Sequence, residues 1–90
     1  MEVSFSSSFK KSAKMKFRAN PELENEFWIC VQTFIENPYN PVLKTHKLSG
    51  KLRLLWSFSI DFENRVLFYF TDQNPKQAVF VDIGTHGEGY

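Results

Sequence analysis

The stretch from Leu52 to Ile83 reads LRLLWSFSI DFEN RVLFYF TDQNPKQ AVFVDI, three runs rich in aromatic and branched apolar residues parted by two polar segments. The runs have strand character. Asp61, Phe62, Glu63 and Asn64 supply a hairpin connection, and Thr71 to Lys76 holds Pro75, which cannot donate to a ladder. The reading therefore places strands at Leu52 to Ile60, Arg65 to Phe70 and Ala78 to Ile83, the last closed by Gly84. Strands joined by links this short pair antiparallel, and so apolar a sheet needs a cover on one face from the rest of the chain.

Outward on the N-terminal side, Leu43 to Gly50 reads LKTHKLSG, with Ser49 and Gly50 marking the turn into the first run. Before it, Asn37, Pro38, Asn40 and Pro41 end a helical pattern whose apolar set is Leu23, Phe27, Cys30, Val31, Phe34 and Ile35. Asn20 is placed to cap this helix and Pro21 suits its first position. Glu22, Glu24 and Glu26 put negative charge where the helix dipole favours it. An earlier helix carries Phe9, Ala13 and Phe17 at four-residue spacing behind the cap oxygens of Ser6, Ser7 and Ser8, and Val3 to Phe5 starts a short strand ahead of it. The two helices form a hairpin with one shared apolar seam. The predicted order is β-α-α-β-β-β, an α+β domain in which the helical hairpin packs on one face of a mainly antiparallel sheet. Ninety residues make one such domain, residues 1–90, with a single modest core.

The lone cysteine, Cys30, has no partner for a disulfide, suits a reducing compartment and falls on the helical apolar face as a packing residue. No apolar run approaches the roughly 18–20 residues that span a bilayer, and Met1 and Glu2 lead into serines without a signal-peptide core, so a soluble cytoplasmic protein with no membrane partner is expected. A net charge of +1 argues against indiscriminate nucleic-acid binding. The charge is nonetheless laid out in blocks. Lys10, Lys11, Lys14, Lys16 and Arg18 form a run without acids, Glu22, Glu24, Glu26 and Glu36 follow without bases, and Lys44, Lys47, Lys51 and Arg53 restore the basic sign around His46.

The chain has two histidines, each after a threonine, and the pairs Thr45-His46 and Thr85-His86 flank the three strands. Imidazoles titrate near neutral pH. Cleaving RNA without a metal requires a base for the 2′-hydroxyl, a donor for the leaving 5′-oxygen and positive charge on the phosphorane. His46 as base, His86 as acid, Arg65 on the phosphate and Tyr90 against a base or the phosphate make a sufficient set, with the two histidine roles interchangeable at this level. Lys47 and Lys51, with Lys44 and Arg53, are the expected holders of neighbouring phosphates. Arg65 has a second reading, a sheet-edge salt bridge to Asp61 or Glu63, and the lysines a second reading as solvated charge. One cysteine and two distant histidines do not make a standard zinc site, the carboxylates are scattered, and no glycine-rich phosphate loop or Ser-His-Asp set is present, so no metal or other cofactor is expected.

The segments Asn37 to Pro41 feeding Leu43 to Gly50, then Leu55-Trp56-Ser57 with Arg65 to Tyr69, and finally Asp82 to Tyr90, resemble the RelE/ParE superfamily of toxins from toxin–antitoxin systems, in its RelE/YafQ-like branch. The resemblance spans nearly the whole chain, including element order. It implies a ribosome-dependent mRNA endonuclease acting on mRNA in the ribosomal A site and held inactive by a cognate antitoxin. His46 and His86 then occupy the places of the branch's first and C-terminal catalytic histidines, Arg65 that of its strand arginine, and Tyr90 that of its terminal aromatic. The chain departs from YafQ-like toxins in the middle hairpin, where Ser57, Ser59, Asp61 and Asn64 stand in the region of a further histidine and an aspartate, and in a tail loosened by Gly87 and Gly89. Two other readings belong to the same resemblance: a non-catalytic ParE-like toxin that poisons its target by protein contacts, and a degenerate toxin that only binds antitoxin.

Overall fold

A computed structural model describes residues 1–72 and 76–85. Strand β1 (Glu2–Phe5) leads into helices α1 (Ser7–Ala19) and α2 (Pro21–Glu36), followed by strands β2 (His46–Lys47), β3 (Trp56–Ser59), β4 (Asn64–Phe70) and β5 (Gln77–Thr85). Single 3₁₀ turns at Pro41–Leu43 and Gly50–Leu52 flank β2. The strands form one sheet in the order β1-β5-β4-β3-β2, antiparallel throughout except where β1 runs parallel to β5. The α+β expectation of a helical hairpin on a mainly antiparallel sheet holds.

The caps act where the sequence put them. Ser6 Oγ accepts from the Phe9 amide at 3.1 Å, and Asn20 Oδ1 accepts from the Leu23 amide at 3.3 Å with Pro21 opening α2. Each removes an orphan donor at a helix start, an effect of about 1 kcal/mol. Phe9 and Ala13 of α1 and Leu23, Phe27, Val31 and Phe34 of α2 are buried against Phe58, Val66, Phe68, Ala78, Phe80 and Ile83 of the sheet. Phe34 anchors the layer, edge-on to Phe68 at 5.0 Å and to Phe80 at 5.5 Å.

Three sequence expectations change. The last strand does not close at Gly84 but runs through it to Thr85, because Gly84 and Thr85 still find Arg65 and Asn64 of β4 to pair with. The run Leu52 to Ile60 is a strand only over Trp56–Ser59, because its first residues close a 3₁₀ turn in which Leu52 N donates to Ser49 O and Arg53 N to Gly50 O. The predicted order places no strand at His46, yet a fifth strand, β2, lies there, and its two residues pair with Ser57 and Trp56.

A bulge in β5 decides which side chains share a face. Leu67 pairs with Asp82 and Phe68 with Phe80, so Val81 is the extra residue. Its carbonyl accepts from Ser8 Oγ at 2.8 Å, which ties the start of α1 to the bulge. Without the bulge, strict alternation would turn Ile83 away from Phe80; with it, both enter the core and Asp82 is turned to the face away from the helices.

Candidate functional site

The helices cover one face of the sheet, and the candidate site lies on the other. Trp56 and Phe58 of β3 point toward the helix layer, so Ser57 and Ser59 point away from it. Cross-strand register carries that face outward: His46 opposes Ser57, Ser57 opposes Leu67, and Leu67 opposes Asp82, giving one row across four strands. The adjacent row is Ser59, Arg65 and Gly84. His46 and Arg65 therefore share the face away from the helices, two strand spacings and two residues apart, roughly 12 Å between backbones.

His46 is exposed on the edge strand, and its Nδ1 lies 2.9 Å from the carbonyl oxygen of Lys44. A carbonyl only accepts, so Nδ1 carries the proton in the neutral ring and Nε2 presents its lone pair to solvent. That tautomer is the one a base at Nε2 requires. The carbonyl is aimed by Lys44 itself, which adopts φ 52° and ψ 40° after the Pro41–Leu43 turn and donates its amide to Pro41 O.

Arg65 is half-buried and its Nη1 donates to Ser59 Oγ at 3.2 Å, which holds the guanidinium over β3 on the side of His46. Its strand neighbours, Ser59 and Gly84, are small and leave the long side chain room to lie along the sheet. The Asp61 carboxylate is taken up in the hairpin, accepting from the Glu63 and Asn64 amides and from Asn64 Nδ2.

The basic residues are less closely gathered. Lys44 is exposed two residues before His46. Lys47 opposes Trp56, so alternation turns it to the other side of β2 from His46. Lys51 and Arg53 are exposed on the connection between β2 and β3, outside the sheet. His86 and Tyr90 lie outside the described residues, whose last member, Thr85, pairs with Asn64 beside the Arg65 row. Among the described residues no three of His, Cys, Asp and Glu come together as a metal site, and no helix is long and apolar enough to cross a membrane. Cys30 packs beneath the sheet end; burial, then the nearby carboxylates of Glu26 and Asp61, push its thiol pKa up, which keeps it protonated and inert as a nucleophile.

No family model matches the sequence, and no curated protein matches it either. Solved structures do match the fold. The YoeB/ParE toxin from Agrobacterium tumefaciens superposes with a TM-score of 0.78 at 15% identity, over 96% of this chain and 99% of that one. YafQ from E. coli strain BL21(DE3) gives 0.77 at 19% identity, over 97% and 94%. The E. coli DinJ-YafQ toxin-antitoxin complex gives 0.75 at 19%, over 99% and 96%. The fold is that of the RelE/YafQ-like toxins.

On this RelE/YafQ-like sheet the structure adds residues that sequence reading did not select. Ser59 is the contact that orients Arg65. Ser57 is fully buried between His46 and Leu67, and its Oγ has no hydrogen-bond partner among the described residues. Asp82 reaches the face away from the helices through the bulge. The serine alternation around Phe58 was a signal that polar side chains line one face of β3. The bulge left no such mark.

Proposed function

We propose that the chain is the toxin of a toxin–antitoxin pair and a metal-independent, ribosome-dependent mRNA endonuclease. The observation that carries the proposal is the shared face of the sheet away from the helices: an exposed imidazole held with Nε2 outward and a guanidinium tethered two strands away. A nucleotide laid between them meets a proton acceptor and a fixed cation. His46 Nε2 takes the proton of the 2′-hydroxyl as its oxygen bonds to phosphorus. Arg65 neutralises the equatorial oxygens of the phosphorane, and the bond to the 5′-oxygen breaks with a proton delivered to that oxygen. The products are a 2′,3′-cyclic phosphate and a 5′-hydroxyl. His86, next in sequence after Thr85, is the proposed acid, and Tyr90 the proposed contact to a base or the phosphate. Lys44, Lys51 and Arg53 would meet neighbouring phosphates, while Lys47 would do so only around the edge of β2.

The partners proposed are mRNA in the ribosomal A site, the ribosome, and a cognate antitoxin, as YafQ has in DinJ; the compartment is that of translation, the cytoplasm. Primer extension on transcripts after induction, with translation running or blocked, tests the reading. Cuts within translated codons are expected, ending in cyclic phosphate, and His46→Ala lowers cleavage by about 10²–10⁴-fold. Arrest of growth that persists undiminished in His46→Ala would sink the nuclease and favour the non-catalytic ParE-like alternative.

A further inference from the structure

We propose that Tyr69 is a nucleobase platform, its ring stacking on a base next to the phosphate assigned to His46 and Arg65. The identity of that phosphate rests on the endonuclease reading; the ring's readiness to stack does not. Tyr69 lies on β4 between Phe68 and Phe70, which both face the helix layer, so alternation turns it to the face that carries His46 and Arg65. It stands two residues beyond Leu67, as Arg65 stands two residues before it, and Leu67 is joined to His46 through Ser57 in one row. His46 is therefore roughly 12 Å from each of them, backbone to backbone, and Arg65 and Tyr69 are roughly 13 Å apart along their strand.

What distinguishes this ring is that its faces are not taken. Among the described residues, the aromatic side chains other than Tyr69 and Phe62 each pack against a second ring. Tyr69 is 39% exposed, and within the same residues it makes no ring contact and its hydroxyl no hydrogen bond. Phe62 projects from the β3–β4 hairpin between Asp61 and Glu63, whose charge repels a phosphate backbone. The neighbours of Tyr69 on its own face are uncharged: Leu67 along the strand, Val79 opposite and Ser4 one strand further. Asp82, beside Leu67, accepts from the Ile83 amide at 2.8 Å.

A half-exposed π-face without a ring beside it suits one base, since every base offers a face to stack. It is too little for a protein anchor, because Leu67 is buried and Ser4 is polar, leaving no apolar patch of the size that partners bury. Ser57 and Leu67 are both buried, so the exposed groups of this face stand at its margins, His46 on the edge strand and Tyr69 further along β4. A strand of RNA held by its phosphate at one margin and by a base at the other has its register fixed. The base stacks alike before and during phosphoryl transfer, so the contact lowers KM and leaves kcat unaltered.

The test titrates the full chain, in its His46→Ala form, against mRNA carrying the fluorescent base 2-aminopurine at each position of the A-site codon in turn, ribosome-bound and as a free strand. Stacking quenches the fluorescence. Saturable quenching at one position is expected, preserved in Tyr69→Phe and Tyr69→Trp, lost in Tyr69→Leu, with affinity falling at least about fivefold in the leucine variant. Leucine keeps an apolar side chain on the strand without a π-face, and circular dichroism establishes that each variant is folded; a merely structural role would treat leucine and phenylalanine alike. In the chain with His46 restored, Tyr69→Leu should raise KM by a similar factor and change kcat by less than about twofold. No quenching at any position in either setting, quenching that survives Tyr69→Leu, or equal loss in the phenylalanine and leucine variants would each overturn the proposal. Quenching through Tyr69 in a protein that never cuts RNA would keep the platform and sink the endonuclease, whereas cleavage indifferent to Tyr69→Leu, without quenching, would do the reverse.

Discussion

Lys44 is the one described non-glycine residue in the left-handed region, and the chain spends that strain to place a carbonyl under the His46 ring. A Cβ at such φ crowds the following carbonyl, at about 1–2 kcal/mol for an L-residue, and a branched Cβ crowds it further. Lys44→Val is therefore expected to lower unfolding free energy by about 1–2 kcal/mol, whereas Lys44→Gly, which relieves the crowding but adds freedom to the unfolded chain, stays within about 1 kcal/mol of the parent. Urea unfolding of the pair reads the difference. If valine is tolerated as well as glycine, the conformation assigned to Lys44 is wrong, and so is the route by which Nδ1 of His46 is held. Nothing in the sequence announced this residue: a lysine in a left-handed conformation has no compositional mark, and the Thr-His pair pointed to the imidazole without indicating which nitrogen faces solvent.

At the scale of elements, what was legible followed from strong local chemistry. Asn20-Pro21 with its trailing glutamates determined the start of α2 because a cap acceptor, a pre-set φ and favourable dipole charge all act within one turn. Asn20→Ala should cost about 1 kcal/mol, seen as a lower urea midpoint at an unchanged m-value, with the loss restored by Asn20→Asp or Asn20→Ser. A fall with alanine that serine and aspartate fail to repair would mean the asparagine acts through something other than its bond to the Leu23 amide. Where several structures satisfy the same apolar residues, legibility ended. Leu52, Leu54 and Leu55 extend the run of Trp56 to Ile60 in composition, yet Leu54 is 77% exposed, because the 3₁₀ turn at Gly50–Leu52 takes the chain off the sheet there. Strand β2 has two residues, too few to show a period, and exists because β3 offers an edge. The parallel pairing of β1 with β5 is likewise a tertiary fact, one that local pattern does not encode.

For the whole molecule, the sheet is a partition. Its helix side is filled by the rings of Phe27, Phe34, Phe58, Phe68 and Phe80, and its other side carries His46, Ser57, Ser59, Arg65 and Asp82. Close-packed interiors transmit strain when they are forced to rearrange, whereas shortening a side chain on the far face asks little of the packed rings. On the proposed endonuclease reading, Arg65→Ala should depress mRNA cleavage in a reconstituted translation reaction, while its urea midpoint falls far less than that of Phe34→Ala, which empties the core at a cost of about 3–5 kcal/mol. Cleavage unchanged in Arg65→Ala, or a midpoint loss as large as that of Phe34→Ala, would mean that the guanidinium is a structural member of the sheet and not a contact to phosphate.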